Sequence, residues 1–260
     1  MSIDNCDANR NESGRQDRKP TRSYIGNVAG VIVLLVILGA IWWDSAPTRP
    51  ISRSPAPRAK CLNNLKNITL ALLMYHDRYK SFPPAYVADE QGRPMYSWRV
   101  FLLQFLDRQD LHREFHWDEP WDSPHNRSVT DQVIEVFRCP ENDGDPTRTS
   151  YFAVIGPNTA WKGAVPTRLD EITDPHDQTI LLVEASGAGI HWAEPGDLEF
   201  DRIPMQINPE NADGISSEHQ GSVTISLANG SARALSDSTS SETLRRLLEI
   251  DDGEMIEGWQ

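Results

Sequence analysis

Residues 223–235 read VTISLANGSARAL, and this stretch decides the class of fold. Residues 223–227 and 232–235 have the short, β-branched and apolar character of paired strands. Between them lies Asn229-Gly230, which is the pair preferred at the centre of a type I′ hairpin turn. The stretch therefore predicts an antiparallel hairpin.

Segments on both sides of the hairpin extend this pattern. Residues 150–155 and 179–183 also have strand-like periodicity, and residues 241–250 predict a closing amphipathic helix. Before the strands, apolar residues recur every three or four positions over 61–80, which predicts a long helix. The members of this stripe are Leu62, Leu65, Ile68, Leu72, Tyr75 and Tyr79.

Further helices are predicted between the long helix and the strands. Ser97 can cap a second helix that carries apolar residues as far as Leu111, and residues 128–135 predict a short third helix. Helices that come first and strands that follow indicate an α+β fold with an antiparallel sheet. We therefore do not expect a parallel βαβ array.

The N-terminal part of the chain predicts a membrane anchor. Residues 25–43, IGNVAGVIVLLVILGAIWW, contain no ionisable side chain and are long enough for a helix to cross a bilayer of about 30 Å. A cleaved secretory signal is the alternative, but its apolar core is shorter and ends in small residues rather than in tryptophans. We divide the chain into a disordered cytoplasmic tail (1–23), a transmembrane helix (24–44), a Pro/Ser/Arg linker (45–59), a large domain (60–254) and a C-terminal tail (255–260).

The cysteines favour one orientation in the membrane. Basic residues flank the apolar run almost equally, so the positive-inside rule decides little. Cys61 and Cys139 both fall in the large domain and can pair in an oxidising compartment, whereas Cys6 lies alone in the tail. We therefore expect a single-pass protein of the cell inner membrane, with its large domain outside the cytoplasm and a Cys61–Cys139 disulfide. Two unrelated structural thiols are the alternative.

Charge excludes one class of partner. The formal net charge is −13, and nearly all of the acidic excess lies beyond the apolar run. Phosphate binding needs a basic face, so we expect no nucleic-acid partner.

Motifs for enzyme chemistry are absent from the sequence. It contains no G-x-S-x-G elbow, phosphate loop or dinucleotide fingerprint. His112 and His116 have a zinc-compatible spacing without the general-base glutamate of a metalloprotease, and residues 141–145 resemble part of a calcium loop without its distal glutamate. We predict no catalytic residue, metal or cofactor. A hydrolase that uses His219 with Asp213 or Glu218 is an alternative without a nucleophile.

Several tryptophans lie in loops beside proline or aspartate. Trp121, Trp161 and Trp192 are candidates for contact with a solute or glycan, because an exposed indole can stack on a sugar. Buried anchors of the loops are the alternative reading of the same residues.

Together these segments resemble a known bacterial family. The similarity runs through CLNNLKNITLALLMYHDRYKSFPPA (61–85), SWRVFLLQFLDRQDL (97–111), FHWDEPWDSPHN (115–126), VFRCPEN (136–142), TSYFAVIGP (149–157), QTILLVEA (178–185) and WAEPGDL (192–198). It ends in a signature of a histidine, nine residues and Asp-Gly, which here is His219 followed by Asn229-Gly230. The chain resembles domain-of-unknown-function family 1559, which also carries a solute-binding label, over roughly residues 60–254.

The resemblance implies a pseudopilin-like protein outside the inner membrane, in which a hydrophobic helix leads into the C-x-N-N-L-K segment. It brings no catalytic residues. This chain departs from the family in lacking the Gly-Phe-Thr-Leu-x-Glu leader and in having prolines after the apolar run, so we expect it to be neither processed nor polymerised as a pilin. At Asn229 the family has aspartate, which is either a turn former or a functional carboxylate.

The sequence thus predicts a non-enzymatic, membrane-anchored domain of pseudopilin-like type. Its role would be in secretion, surface assembly or envelope interaction, with envelope or secretion proteins as partners. The alternative is a membrane-tethered module that binds a solute or glycan.

Overall fold

A computed structural model of the chain describes residues 57–210, 214–256 and 258–259. Its α-helices are α1 (Pro57–Tyr79), α2 (Trp98–Leu102), α3 (Gln109–Glu114), α4 (Arg127–Thr130) and α5 (Ser241–Leu248). Its strands are β1 (Tyr86–Ala88), β2 (Pro94–Ser97), β3 (Tyr151–Phe152), β4 (Val154–Ile155), β5 (Ile180–Glu184), β6 (Leu198–Glu199), β7 (Ser222–Leu227) and β8 (Ala232–Ser236). Short 3-10 helices lie at Leu103–Phe105, Glu135–Phe137 and Leu169–Glu171. The predicted α+β class is confirmed.

The long predicted helix is present as α1. It begins at Pro57, because a helix tolerates proline in its first turn, where the missing N–H would have no partner in the helix. It ends after Tyr79, since Lys80 adopts a φ of 65° and donates its N–H to the His76 carbonyl at 2.7 Å. One face of the helix is buried, and the residues on it are Cys61, Leu65, Ile68, Ala71 and Leu72.

The main sheet has four antiparallel strands in the order β3-β5-β7-β8. β7 and β8 pair over five residues, so the predicted hairpin is confirmed. Alternate residues of β7 pack with the buried leucines of α5, and the intervening Ser222, Thr224 and Ser226 face the side on which α1 packs. Because helices cover both faces of this strand, all six of its residues are buried.

The hairpin turn differs from the predicted type. A type I′ turn needs positive φ at both central residues, but only Gly230 has it, at 89°. Gly230 donates its N–H to the Leu227 carbonyl at 2.9 Å, and the Asn229 side chain accepts the N–H of Ser231 at 2.9 Å. The type I′ prediction is therefore wrong. A three-residue loop that ends in a left-handed glycine replaces it.

Two predicted helices are shorter than expected. Ser97 caps α2 as predicted, accepting the Arg99 N–H at 3.4 Å, but the helix does not continue to Leu111. Asp107 takes a left-handed φ of 57°, which separates α2 and its 3-10 extension from α3. The helix predicted over 128–135 is only the single turn of α4, followed by the 3-10 helix Glu135–Phe137.

The strand predicted over 150–155 is divided into two. β3 pairs with β5, whereas β4 forms a separate parallel pair with β6. The division occurs at Ala153, whose N–H is bound at 2.8 Å by the Asp197 carboxylate rather than by a strand. The sequence predicted neither this parallel pair nor the small β1–β2 hairpin.

A buried ion pair joins α2, which carries Arg99, to Asp197, the residue directly before β6. Nη2 of Arg99 lies 2.8 Å from Oδ1 of Asp197, and the two side chains are 0% and 1% exposed. Arg99 also donates to the Tyr151 carbonyl at 2.7 Å and to the Ser97 hydroxyl at 2.7 Å. Burial lowers the pKa of Arg99 and raises that of Asp197. Since a guanidinium stays protonated in proteins, the pair is an ionic contact in the core.

The C-terminal residues that were predicted to form a tail contact the domain. Ile256 donates its N–H to the Gln178 side chain at 2.8 Å, and the indole of Trp259 donates to the Asp177 carbonyl at 2.7 Å.

The predicted tail, transmembrane helix and residues 45–56 of the linker lie outside the described residues. Within the part of the chain that the structure does describe, no helix has the length and apolar character needed to cross a bilayer.

Candidate functional site

Four side chains from separate segments meet at one buried point. Cys61 comes from α1, Cys139 from the loop after a 3-10 helix, Glu184 from the end of β5 and His219 from the loop before β7. Their sulfur, nitrogen and oxygen atoms all lie within 4.8 Å of one another. We call these four residues the thiol–histidine cluster.

Local structure explains how each residue reaches this point. Cys61 belongs to the buried stripe of α1, so the packing of that helix on the sheet carries the thiol inward. Cys139 is held by its own N–H, which donates to the Ser150 hydroxyl beside β3 at 2.9 Å. Glu184 ends β5 and accepts the Thr224 hydroxyl of the neighbouring strand at 2.7 Å.

His219 is oriented from both sides of its ring. Its Nε2 lies 3.2 Å from the Cys61 sulfur and 3.6 Å from the Cys139 sulfur. Its Nδ1 is in close contact with the Glu141 carboxylate. A carboxylate accepts a hydrogen bond from Nδ1–H, so in the neutral ring the lone pair of Nε2 faces the sulfurs.

The hydrogen bonding of the cluster is incomplete at Glu184. One oxygen of Glu184 is bound by Thr224, but its Oε1 is buried and has no hydrogen-bond partner. The whole residue is 0% exposed, and a buried carboxylate without a cation or a full set of donors is costly. Glu184 is therefore the residue of the cluster that has a buried oxygen without a hydrogen-bond partner.

The two thiols have different acidities. The pKa of Cys61 is lowered to about 7, chiefly because a hydrogen bond from the Cys139 thiol to its sulfur outweighs the effect of burial. The pKa of Cys139 is raised, because its hydrogen bond to Cys61 holds the proton and burial opposes charge. Burial also raises the pKa of Tyr151, whose hydroxyl lies 3.5 Å from the Cys61 carbonyl. Cys61 is thus the more readily ionised thiol.

This arrangement limits the chemistry that the cluster can carry out. Both cysteines are free, at 0% and 1% exposure, so neither sulfur is open to a substrate in this conformation. Two sulfurs, an imidazole nitrogen and a carboxylate can together ligate a metal ion. The Cys61–Cys139 disulfide remains a prediction, with its two sulfurs now placed in the same cluster.

The sequence identified three of these residues without connecting them as one site. The sequence predicts that Cys61 and Cys139 pair, and it names His219 both as part of the family signature and as the histidine of the hydrolase alternative. Glu184 was not singled out, because it ends an apolar strand, and Glu141 was considered only within the calcium-loop resemblance of residues 141–145. The carboxylate against His219 is Glu141 rather than Glu218, and Asp213 lies outside the described residues.

The parts of the family signature lie at opposite ends of β7. His219 precedes this strand and Asn229-Gly230 follows it, so the intervening strand separates them by about 20 Å at roughly 3.3 Å per residue. The nine-residue spacing therefore spans a strand between the cluster and the hairpin turn. A β-carbon at Gly230 would lie 3.1 Å from the Leu73 side chain of α1, so this glycine lets the helix approach the turn.

The candidate tryptophans do not form one surface. The indoles of Trp161 and Trp192 are buried, and each donates its N–H to backbone carbonyls, Trp161 to that of Leu181 at 2.7 Å. Trp121 is partly exposed and stacks on His191 with ring centroids 4.6 Å apart. Of the three predicted ligand contacts, only Trp121 is partly exposed, and the Arg127 guanidinium also lies over its ring, 5.1 Å from the centroid.

A second group of potential metal ligands lies on the surface. His116, Glu119 and His125 come together beside a groove of about 810 Å³, and His125 Nδ1 lies 2.7 Å from the Glu119 carboxylate. His112 packs against Trp117 instead, with ring centroids 4.9 Å apart. The His112–His116 spacing noted in the sequence therefore does not correspond to a shared site.

One comparison with known proteins supports the family resemblance. No curated protein and no solved structure matches the chain. Residues 52–164, which include both cysteines of the cluster, match a family model described as a protein of unknown function, DUF1559. The family resemblance seen in the sequence is thereby confirmed over residues 52–164.

Proposed function

We propose that this chain is a non-enzymatic, pseudopilin-like domain that is anchored in the inner membrane by residues 25–43 and acts outside the cytoplasm. Its role is in secretion, surface assembly or envelope interaction. The observation that carries the proposal is the position of α1, a 23-residue helix packed on an antiparallel sheet.

The course of the chain supports this proposal. The family resemblance implies an apolar helix followed by the C-x-N-N-L-K segment, and here CLNNLK (61–66) lies near the start of α1. A segment anchored in lipid would thus be continued, after the prolines, by the helix that organises the domain. The side of α1 away from the sheet leaves Leu70 and Met74 44% and 53% exposed, which fits contact with another envelope protein.

The candidate site supports a non-enzymatic role. Both thiols and His219 are buried, and two of the three candidate tryptophans are structural anchors. The solute-binding alternative needs a concave surface with several exposed aromatic faces. We therefore favour attachment and assembly over catalysis or solute capture.

Membrane extraction tests the anchor. We expect the full-length chain to remain in membranes after an alkaline carbonate wash and to be released by detergent. The double variant Ile32→Arg/Leu35→Arg should become soluble or fail to insert, because each charge at a helix centre costs about 2.5–3.5 kcal/mol on insertion. The matched control Ile32→Leu/Leu35→Ile should behave like the parent. Recovery of the parent in the soluble fraction would refute the anchor.

Reporter fusions test the orientation. Alkaline phosphatase joined to the C-terminus folds only outside the cytoplasm, whereas green fluorescent protein exported through the general secretion pathway does not fluoresce there. We expect the phosphatase fusion to be active and the green fluorescent protein fusion to be non-fluorescent. The opposite pair of results would place the domain in the cytoplasm and refute the proposal.

A further inference from the structure

We propose that the thiol–histidine cluster is a structural zinc site, with Cys61, Cys139, His219 and Glu184 as its ligands. This inference does not depend on the membrane anchor, since it concerns only the folded domain, but it replaces the Cys61–Cys139 disulfide expected from the sequence, because both thiols bind the ion.

The donor set and its spacing fit zinc. Structural zinc sites use four tetrahedral ligands, most often sulfur and imidazole nitrogen and sometimes carboxylate oxygen. With usual zinc–sulfur and zinc–nitrogen bond lengths, tetrahedral geometry separates the sulfur and nitrogen by about 3.6 Å. The two sulfurs lie 3.2 and 3.6 Å from His219 Nε2, so small adjustments would accommodate an ion between them.

The surroundings of His219 match those of a metal ligand. A histidine that binds zinc usually donates its other ring N–H to a carboxylate, which fixes the tautomer and orients the ring. Glu141 holds this position at Nδ1 and leaves Nε2 directed at the sulfurs. Glu141 is thus an orienting residue rather than a ligand.

The unpartnered oxygen of Glu184 is independent evidence for a cation. Its Oε1 is fully buried without a hydrogen bond, while Thr224 binds the other oxygen. A zinc ion would supply the missing partner and compensate the charge of the carboxylate. A Cys61–Cys139 disulfide would do neither, and it would leave Nε2 of His219 without a strong partner.

The site would be structural because it is closed. All four ligands are buried, and a catalytic zinc needs an open position for water or substrate. On binding, each thiol releases a proton and both sulfurs coordinate as thiolates. The ion would join the early turns of α1 to the ends of β5 and β7, segments as far apart in sequence as 158 positions.

Metal analysis of the full-length chain tests the proposal. Cys6 is replaced by serine throughout, so that every thiol measured belongs to the cluster. The protein is purified in mild detergent with a reductant, stripped with a chelator and titrated with Zn²⁺ alone. We expect one tightly bound zinc per chain and the disappearance of both titratable thiols on binding.

Cobalt replacement gives a readout that needs no further variant. Co²⁺ bound by two thiolates in a tetrahedral site produces sulfur-to-cobalt charge-transfer absorption in the near ultraviolet and intense visible bands. We expect both features in the parent. A parent that binds no cobalt, or binds it without the charge-transfer absorption, would overturn the assignment.

Variants then assign the ligands. Cys61→Ser, Cys139→Ser and His219→Gln should each weaken zinc binding at least 100-fold, and Glu184→Gln should weaken it less. Glu141→Gln should lower affinity about 10–100-fold while preserving the cobalt spectrum, as expected of an orienting residue. Circular dichroism of each metal-free variant distinguishes a lost ligand from a lost fold.

A matched control addresses the surface group of ligands. His116→Ala/His125→Ala removes both exposed imidazoles and should leave the zinc content and the cobalt spectrum unchanged. If this variant loses the zinc, the metal belongs to the surface. If peptide mapping of the protein from cells shows Cys61 joined to Cys139, and the reduced protein still binds no zinc, the pair is a disulfide and the proposal is wrong.

Discussion

Replacing Asp197 by asparagine should leave the positive charge of Arg99 unpaired in the core. The substitution preserves the size of the side chain and an oxygen that can accept the Ala153 N–H, which lies 2.8 Å from the carboxylate. It removes the negative charge that lies 2.8 Å from the Arg99 guanidinium. Arg99 is 0% exposed and always protonated, so neither water nor loss of a proton can compensate it.

The contacts of Arg99 set the size of the effect. Its bonds to the Tyr151 carbonyl and the Ser97 hydroxyl remain, but neither partner carries a charge. Removing one member of a buried ion pair typically costs about 3–5 kcal/mol. For a domain of this size each kcal/mol lowers the melting temperature by roughly 2–4 °C, so we expect a decrease of roughly 6–20 °C.

Urea unfolding of the full-length chain in detergent provides the assay. Tryptophan fluorescence reports on this region, because the Arg99 guanidinium lies 4.5 Å from the ring centroid of Trp98. The control is Asp131→Asn, which breaks an exposed pair with Arg127 at 3.4 Å. Exposed pairs contribute no more than about 1 kcal/mol, so the control should unfold close to the parent.

A double-mutant cycle separates the charge pair from the lost packing. Arg99→Met should be costly in the parent, since it leaves the Asp197 carboxylate buried without its cation. In the Asp197→Asn background the same change removes an unpaired charge, so it should cost less by about 0.5–3 kcal/mol. Equal costs in the two backgrounds, or an Asp197→Asn variant as stable as its Asp131→Asn control, would refute the ionic account of this core.

Three further predictions concern local structure. Gly230→Ala should destabilise the domain by more than Gly253→Ala. Both glycines have positive φ, but only at Gly230 would the new methyl group meet a side chain of α1, at 3.1 Å. Equal urea midpoints for the two variants would contradict this prediction. Burial lowers the pKa of His76, whose neutral ring accepts the Leu169 N–H at 3.1 Å, so the free energy of unfolding should fall as the pH decreases below about 6.5. His76→Gln should make that decline shallower in urea titrations at several pH values, and an unchanged slope would show that other groups cause it. Ser240→Ala removes the N-cap of α5 and should cost about 1 kcal/mol in the same assay, whereas an unaffected midpoint would mean that the cap is dispensable.

Local sequence patterns predicted a helix or strand well where all the residues that form the pattern lie within that one element. The stripe of α1 and the strands of the β7–β8 hairpin repeat apolar residues at the period of the structure they form. Prediction was weaker where a backbone group finds a partner far away in the chain. The strand expected over 150–155 divides at Ala153 because Asp197 binds its N–H, and no pattern within those six residues could show this.

The sequence by itself determined the α+β class, the long first helix, the hairpin and the DUF1559 resemblance, because each depends on the order and spacing of neighbouring residues. Only the tertiary structure decided the candidate site and the charged core. Cys61 and His219 are 158 positions apart, and Arg99 and Asp197 are 98 apart. Such pairs meet because helix and sheet packing fixes distances that the linear spacing of residues does not encode.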